Sequence, residues 1–182
     1  MMNRLLVVAG YGVYPELIVR GAKSAGVGRV DIVGIRGSTS RGTVKAADSV
    51  HWITLGGISD GIRWAGEQRY DGAILAGQVN PLSLFRGGFD PEVKAALKAL
   101  PVKNAHSIFK RLIEMFEAAG VTILPASLYM DGNLPGLGPL TSRGFTPSEQ
   151  SDITHAMAVV RDMGVHDVGQ TVMVKAGMVL AV

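Results

Sequence analysis

Short apolar segments and amphipathic segments alternate along the first 125 residues of this 182-residue chain. Apolar runs of strand length occupy residues 5–8, 30–35, 49–55, 71–76 and 121–124. Between them, apolar residues recur with helical spacing over residues 15–25, 62–65, 91–100 and 107–119. Strands that alternate with helices predict a parallel sheet covered on both faces. The sequence therefore favours a small doubly wound α/β domain.

The first apolar run leads directly into a glycine turn. Residues 5–8 are followed by Ala9-Gly10-Tyr11-Gly12, and Pro15 stands where the first helix is expected to begin. A glycine turn at a helix N-terminus lets backbone N–H groups approach a ligand, and that helix end carries positive partial charge. The pattern therefore indicates a phosphate site, with Gly10, Tyr11 and Gly12 as candidate binding residues.

Two departures weaken the interpretation of this turn as a dinucleotide site. The third glycine of that fingerprint would fall at position 15, which is Pro15, and the second strand runs into Arg36 where an acidic residue would hold a ribose. An NAD(P)-linked oxidoreductase is therefore disfavoured. A simpler alternative stays open, in which the glycines only close the strand against the helix.

Further candidates follow the other predicted strands, because ligands of such sheets collect beyond the carboxyl ends of the strands. Arg36 opens a segment rich in Gly, Ser and Arg over residues 36–43, which is predicted to be a mobile loop, and its charge would attract an anionic nucleotide. Gly77, Gln78 and Asn80 follow the fourth strand, where the two side-chain amides would bind the polar edge of a base or a phosphate. Turn residues that bond their own backbone are the alternative.

The pattern changes near residue 130. Residues 131–147 are rich in glycine and proline and show no helical or strand period, as in a linker or a binding loop. Thr146-Pro147-Ser148-Glu149 is a capping box that predicts a helix to about Met163, and a β-hairpin follows over residues 171–182. The predicted organisation is a nucleotide-binding domain at 1–128, a linker at 129–147 and the start of a second domain at 148–182.

The hairpin raises two expectations. Its second strand, residues 178–182, is apolar and coincides with the last residue, and an uncovered edge of this kind promotes association. We expect that either further polypeptide or a partner chain covers this edge. We also predict that the chain associates with itself as a homo-oligomer. Asp167 and Gln170 lie at the turn before the hairpin and are candidate binding residues, although an Asx-type turn explains Asp167 equally well.

Composition limits the classes of function. The chain is 47% hydrophobic and 18% charged, as soluble globular domains are. Its net charge of +3 comes from scattered basic residues, so no nucleic-acid partner is expected. The absence of cysteine excludes disulfides and thiolate metal sites. No apolar run approaches the roughly 20 residues that span a bilayer.

Several segments together resemble one known family. They are Ala9-Gly10-Tyr11-Gly12-Val13-Tyr14-Pro15, Ala76-Gly77-Gln78-Val79, Ser107-Ile108-Phe109-Lys110-Arg111, and Asp167-Val168-Gly169-Gln170 with Val179-Leu180-Ala181-Val182. These segments are similar, in the same order, to segments of the LpxI family, the UDP-2,3-diacylglucosamine pyrophosphatases of lipid A synthesis. The resemblance extends over all 182 residues.

The resemblance implies a Rossmann-like N-terminal domain and a hydrolase that uses Mg²⁺ or Mn²⁺. Its substrate would be a lipid-linked nucleotide sugar, and its products UMP and 2,3-diacylglucosamine 1-phosphate. It also implies a cytoplasmic protein with peripheral contact to the inner membrane. In relatives, acidic residues of the C-terminal domain carry catalysis, so the catalytic and metal-binding groups are expected outside this chain. The substrate-binding residues here would be Gly10, Tyr11, Gly12, Arg36, Gly77, Gln78, Asn80, Asp167 and Gln170.

One departure from the family pattern bears on the metal. Relatives often have an acidic Gly-Asp-Asp before the long helix, whereas this chain has Asn104-Ala105-His106. The acidic residues that this chain does contain lack the close spacing in sequence that a carboxylate metal site shows. Two main interpretations follow: the nucleotide-binding half of the hydrolase, inactive by itself, or a non-catalytic Rossmann-like module that binds a nucleotide sugar.

Overall fold

The computed structural model describes residues 2–78, 89–101, 105–166 and 168–182. Two of the predicted site residues, Asn80 and Asp167, lie outside the described residues. The chain forms two compact units, Met1–Leu134 and Pro135–Val182. The sequence-based boundaries at residues 128 and 147 stay a prediction, and each unit is described by itself.

The N-terminal unit is built on a parallel sheet. Its strands are β1 (Arg4–Ala9), β2 (Arg29–Ile35), β3 (Ser49–Ile53) and β4 (Gly72–Ala76), hydrogen-bonded in the order β3-β2-β1-β4. All three neighbouring pairs run parallel, which confirms the predicted α/β class. All four strands have their carboxyl ends at one edge of the sheet.

The predicted fifth strand, residues 121–124, is present only as a one-residue bridge. Ile123 pairs with Ala73 of β4 in parallel orientation. The Ala73 N–H donates to the Thr122 carbonyl, and the Leu124 N–H donates to the Ala73 carbonyl, both at 2.8 Å. Val121 is buried in the core. The apolar run at residues 121–124 therefore serves core packing, although its pairing with β4 is limited to one bridge.

Helices connect the strands. In chain order they are α1 (Tyr14–Ser24), α2 (Arg41–Ala46), α3 (Ile58–Glu67), α4 (Pro91–Lys98) and α5 (Ala105–Ala118), with short 3₁₀ turns at Leu55–Gly57 and Asp131–Asn133. Helix α2 begins inside the segment that was predicted to be a mobile loop. Ser40 caps it by accepting a hydrogen bond from the Thr43 N–H. Thr39 fastens the preceding turn, because its hydroxyl donates to the Ala9 carbonyl at 2.5 Å and accepts from the Ile35 N–H at 2.8 Å.

Each face of the sheet packs in a separate apolar cluster, because the side chains of successive strand residues point to opposite faces. The first cluster joins one face of β1 and β2 to α1, with Leu5, Val7, Ile32, Ile18 and Val19 fully or almost fully buried. The second cluster joins the opposite face to α3 and α5, and it includes Leu6, Val33, Ala73, Ile62 and Phe116. The helices thus fix the sheet from both sides.

A buried carboxylate lies toward the amino end of the sheet. Asp31 of β2 is 1% exposed, and its carboxylate accepts hydrogen bonds from Arg29 Nε (2.9 and 3.0 Å), Ser49 Oγ (2.7 Å) and the Tyr70 hydroxyl (3.0 Å). Burial by itself would raise the pKa of Asp31, but these hydrogen bonds outweigh it and the pKa is lowered. Burial and the charge of Asp31 raise the pKa of Tyr70 to about 12.

The C-terminal unit consists of a helix and a hairpin. Helix α6 (Pro147–Val165) begins with the predicted capping box, in which Thr146 Oγ1 accepts from the Glu149 N–H and the Glu149 carboxylate accepts from the Thr146 N–H. Arg143 binds the same carboxylate and, with the Thr146 hydrogen bonds, lowers the pKa of Glu149 to about 2.

The hairpin is attached to α6 through Asp152. Strands β5 (Met173–Lys175) and β6 (Met178–Ala181) pair antiparallel, as predicted. The Asp152 carboxylate accepts from the turn N–H groups of Ala176 at 2.8 Å and Gly177 at 2.7 Å. Every residue of β6 is exposed, so its apolar side chains face solvent.

The Asp31 network predicts a specific loss of stability. Asp31→Asn should lower the free energy of unfolding at pH 7 by about 2 kcal/mol, because Arg29 and Tyr70 lose a charged, buried partner. The folded-state pKa of Asp31 is lowered, so its contribution is present above the unfolded-state pKa of about 4 and disappears as pH falls through the folded value. Denaturant unfolding at pH 7 and at pH 3 measures both effects.

The matched control is Asp60→Asn. Asp60 pairs with Arg63 on the surface, with a side chain that is 77% exposed, so its loss should cost no more than about 0.5 kcal/mol. Equal effects of the two substitutions, or a cost for Asp31→Asn that does not shrink in acid, would contradict the account of the network.

Candidate functional site at the carboxyl edge of the sheet

Two glycine-containing loops pair with each other at the carboxyl edge of the sheet. The Tyr11 N–H donates to the Gln78 carbonyl at 2.7 Å, and the Gln78 N–H donates to the Tyr11 carbonyl at 2.8 Å. The Gly10 N–H donates to the Ala76 carbonyl at 2.8 Å. We call this pairing the Tyr11–Gln78 bridge; it extends the contact between β1 and β4 beyond the ends of both strands.

Two glycines allow the bridge to form. A Cβ atom on Gly10 would lie 2.5 Å from the Gln78 carbonyl oxygen. A Cβ on Gly77 would lie 2.7 Å from the Tyr11 carbonyl oxygen, and Gly77 has a φ of 88°, which L side chains rarely adopt. Close backbone contact between the two loops therefore requires glycine at positions 10 and 77.

Gly12 is different, because no described residue other than its chain neighbours crowds it. It has a φ of 107°, and no described atom beyond those neighbours lies within 4 Å of the position that its Cβ would take. The backbone N–H groups of Gly12, Val13, Tyr14 and Glu16 donate no hydrogen bond within the described part of the chain. Val13, the N-cap of α1, supplies no side-chain cap either. Since a helix N-terminus carries positive partial charge, this end of α1 can bind an anion.

The charges around this helix end are partly compensated. Glu16 lies in the first turn of α1, and Arg20 donates to its carboxylate from Nε at 2.9 Å, which offsets a negative charge that would repel a phosphate. Arg36, directly after β2, is exposed, and its guanidinium carbon lies 5.7 Å from the centre of the Trp52 ring. It adds a cation to the same edge of the sheet.

The structure brings together part of the predicted site. Gly10, Tyr11, Gly12, Gly77 and Gln78 form one group of loops, in which the backbone groups of Tyr11 and Gln78 are committed to the bridge while both residues stay exposed. Arg36 follows β2, the neighbour of β1 in the sheet. Gln170 belongs to the C-terminal unit, where it is exposed before the hairpin.

The described residues do not form a metal site by themselves. No three His, Asp or Glu side chains among them are placed to share a metal ion. The Mg²⁺ or Mn²⁺ implied by the family resemblance thus finds no carboxylate cluster here, and we derive no step through it.

A separate cavity of about 230 Å³ lies between α5 and the residues that follow α4. Leu100, Pro101, Ser107, Lys110, Arg111 and Glu114 line it. Arg111 is paired with Glu114 at 3.0 Å. None of the predicted site residues that the structure describes contributes to its wall.

Two residues at the carboxyl edge were missed by the sequence analysis. Thr39 connects β1 to β2 through its hydroxyl, and Trp52 of β3 lies beside Arg36. The alternation of Val50 and Trp52 along a short strand was a usable signal for Trp52, because it places both side chains on one face. No local pattern indicated Thr39.

Family models match both units. The model of the LpxI N-terminal domain matches residues 4–132, and that of the LpxI C-terminal domain matches residues 136–182. The chain belongs to the LpxI family. This membership confirms the family resemblance and makes the chain part of an enzyme family of lipid A biosynthesis.

Solved structures and curated sequences add less. The biotin carboxylase subunit of pyruvate carboxylase is 20% identical, with a TM-score of 0.42, and the match covers 88% of this chain but 28% of that one. A complex of leucoanthocyanidin reductase with NADPH from Vitis vinifera is 14% identical, with a TM-score of 0.37, over 66% of this chain and 48% of that one. This LpxI chain therefore spans less than half the length of either structure. No curated protein sequence matches it. Among the described helices, none has the length and apolar character to cross a bilayer.

The Tyr11–Gln78 bridge predicts at which glycines an alanine substitution destabilises the fold. Gly10→Ala and Gly77→Ala should each lower the free energy of unfolding by about 2 kcal/mol, because the new methyl group meets a backbone carbonyl at the bridge. Gly132→Ala is the control, since it lies in the same unit with no described atom within 4 Å of its Cβ position. Thermal unfolding of the three variants measures the effect, and an equal loss in the control would argue against a special role of the bridge.

Proposed function

We propose that this LpxI chain binds the UMP part of UDP-2,3-diacylglucosamine for hydrolysis of the pyrophosphate bond. The products would be UMP and 2,3-diacylglucosamine 1-phosphate. Family membership across residues 4–132 and 136–182 is the observation that carries the proposal. The open end of α1 supports it, because this end offers unpaired N–H donors to a phosphate.

Several residues at the carboxyl edge have a proposed role in binding the substrate. The N–H groups of Gly12, Val13 and Tyr14 would bind phosphate oxygens, and the Tyr11–Gln78 bridge would hold the loop that presents them. The exposed Gln78 side chain would hydrogen-bond a polar edge of the substrate. Asn80, Asp167 and Gln170 stay proposed binding residues because of their positions after the fourth strand and before the hairpin and because of the family resemblance.

Cleavage of the pyrophosphate requires more than these groups. We propose Mg²⁺ or Mn²⁺ as the cofactor, since a divalent cation would offset charge on the phosphoryl oxygens. The described residues lack a carboxylate cluster for it, so we assign substrate binding, and no catalytic residue, to them.

We propose that the protein acts in the cytoplasm, with peripheral contact to the inner membrane, and that it is a homo-oligomer. The proposed substrate carries acyl chains, which supports the membrane contact. The exposed apolar side chains of β6 support self-association, because an uncovered strand edge readily pairs with another chain.

One alternative is a module that binds a nucleotide sugar without chemistry. The absence of a metal-binding cluster among the described residues favours it. Incubation of the complete gene product with UDP-2,3-diacylglucosamine and Mg²⁺ separates the two functions. The proposed hydrolase releases UMP, and release stops when the cation is chelated; binding of the substrate with no UMP release would establish the alternative.

Charge at the start of α1 gives a test of the phosphate position. Val13→Asp should weaken UMP binding about tenfold relative to Val13→Asn, because a carboxylate at the N-cap repels the phosphate while the amide has the same shape without charge. Calorimetric titration with UMP measures both affinities. The difference should shrink at high salt. Equal affinities of the two variants would place the phosphate away from this helix end.

A further inference from the structure

An exposed indole lies at the carboxyl edge without belonging to either core. Trp52 is near the end of the edge strand β3, and its side chain is part of neither apolar cluster of the N-terminal unit. The residue is 37% exposed. The second tryptophan, Trp64, is half-buried and stacks on His51 at a ring distance of 4.0 Å. Core packing therefore explains Trp64, whereas more than a third of the Trp52 surface stays open to solvent.

The position of Trp52 is fixed by its neighbours. Its ring lies so close to Gly34 of β2 that a Cβ there would be 2.9 Å from the ring atoms Cε3 and Cζ3. The Arg36 guanidinium carbon lies 5.7 Å from the ring centre, within the range of a cation–π interaction. The Arg36 N–H donates to the Ile53 carbonyl at 2.9 Å, which holds the two strand ends together. The indole is thus a preorganised flat surface.

Trp52 and the open end of α1 belong to the same face of the sheet. Ala9, Gly34 and Trp52 are register partners across β1, β2 and β3. Val50, two residues before Trp52, packs against the cluster that contains Ile18 and Val19 of α1. Neighbouring strands are about 4.8 Å apart, so Trp52 lies roughly 10 Å across the sheet from the strand that leads into the Gly12 turn.

That separation matches the shape of a nucleotide. A phosphate at the N–H groups of Gly12 to Tyr14 would place its ribose beyond the end of β2, outside the turn that Thr39 holds against β1 and β2. The base would then reach the edge strand, where the exposed part of the indole offers an aromatic surface. The Arg36 guanidinium lies over one part of the ring, with its carbon 5.7 Å from the ring centre, and its charge adds attraction for the phosphate end of the same ligand.

We propose that Trp52, held by Gly34 and Arg36, is the stacking surface for the base of the bound nucleotide. This inference rests on the proposed function, because it names the surface that binds the uracil of UMP. Every base has a flat π-face, so stacking on an indole contributes affinity with little preference among bases. Discrimination of uracil must come from hydrogen-bonding groups elsewhere in the site.

The test compares UMP with ribose 5-phosphate, which lacks the base. Trp52→Leu should weaken UMP binding about tenfold and leave the affinity for ribose 5-phosphate unchanged. Trp52→Phe should stay within about threefold of the wild type for UMP, because the phenyl ring keeps an aromatic face. CMP should lose affinity in Trp52→Leu by about the same factor as UMP. Calorimetric titration of the full 182-residue chain supplies the affinities.

Fluorescence gives a second readout. In Trp64→Phe, Trp52 is the remaining tryptophan, and UMP should quench its emission whereas ribose 5-phosphate should not. The matched control is Trp52→Phe, which leaves Trp64 stacked on His51. Its emission should not change with UMP. Circular dichroism of the variants checks that each is folded.

The outcomes separate this inference from the proposed function. If UMP binds the wild type but neither quenches Trp52 nor binds Trp52→Leu more weakly, the stacking surface is wrong and the proposed function stands. If Trp52→Leu weakens UMP and ribose 5-phosphate equally, Trp52 acts through the fold, and the inference is also wrong. If UMP does not bind the wild type, both proposals fail.

Discussion

The pairing of Tyr11 with Gln78 is the constraint on which the candidate site depends. It joins the loops after β1 and β4 through two backbone hydrogen bonds of 2.7 and 2.8 Å. In this pairing the Tyr11 N–H donates to Gln78, and next to it the Gly10 N–H donates to Ala76. Within the part of the chain that the structure describes, the first N–H groups of the loop without a partner are therefore those from Gly12 onward. A backbone interaction within the fold thus decides which N–H groups remain for a ligand.

The glycines of the turn consequently have separate physical roles. Gly10 and Gly77 are required because two backbone segments touch, and a methyl group on either would meet a carbonyl oxygen. Gly12 has a positive φ, and no described residue other than its chain neighbours crowds it at the start of α1. The sequence motif treated Gly10 and Gly12 alike as phosphate-binding residues. Only the partner loop, 67 positions further along the chain, distinguishes their roles.

Strong periodic signals predicted most of the fold. The alternation of apolar runs and helical patterns gave the parallel sheet, and the capping box at Thr146 gave the start of α6. Helix α2 was missed because its six residues carry a weak pattern, and its stability comes from Ser40 and from contacts of Thr39 with β1 and β2. In place of the predicted fifth strand, the structure has a single bridge. A short apolar run is compatible with a buried irregular segment as well as with a strand, so the sequence did not distinguish the two.

The site was predictable where it depends on local sequence and unpredictable where it depends on register. The Gly10-x-Gly12 turn and the helix after it are local features. The position of Trp52 over Gly34 requires the pairing of β2 with β3, and the buried position of Asp31 requires the partners Ser49 and Tyr70. Such contacts bring together residues that are 18 to 39 positions apart, so a single sequence carries no direct signal for them.

In the proposed function, the N–H groups at the start of α1 hold the phosphate of a uridine nucleotide. Titration of the ¹⁵N-labelled chain with UMP tests it most directly, by the chemical shift of each backbone amide. The account predicts the largest changes at Gly12, Val13 and Tyr14, where the N–H groups are unpaired. Unchanged signals at these three residues, with the changes gathered instead around the cavity at Ser107 and Lys110, would contradict it.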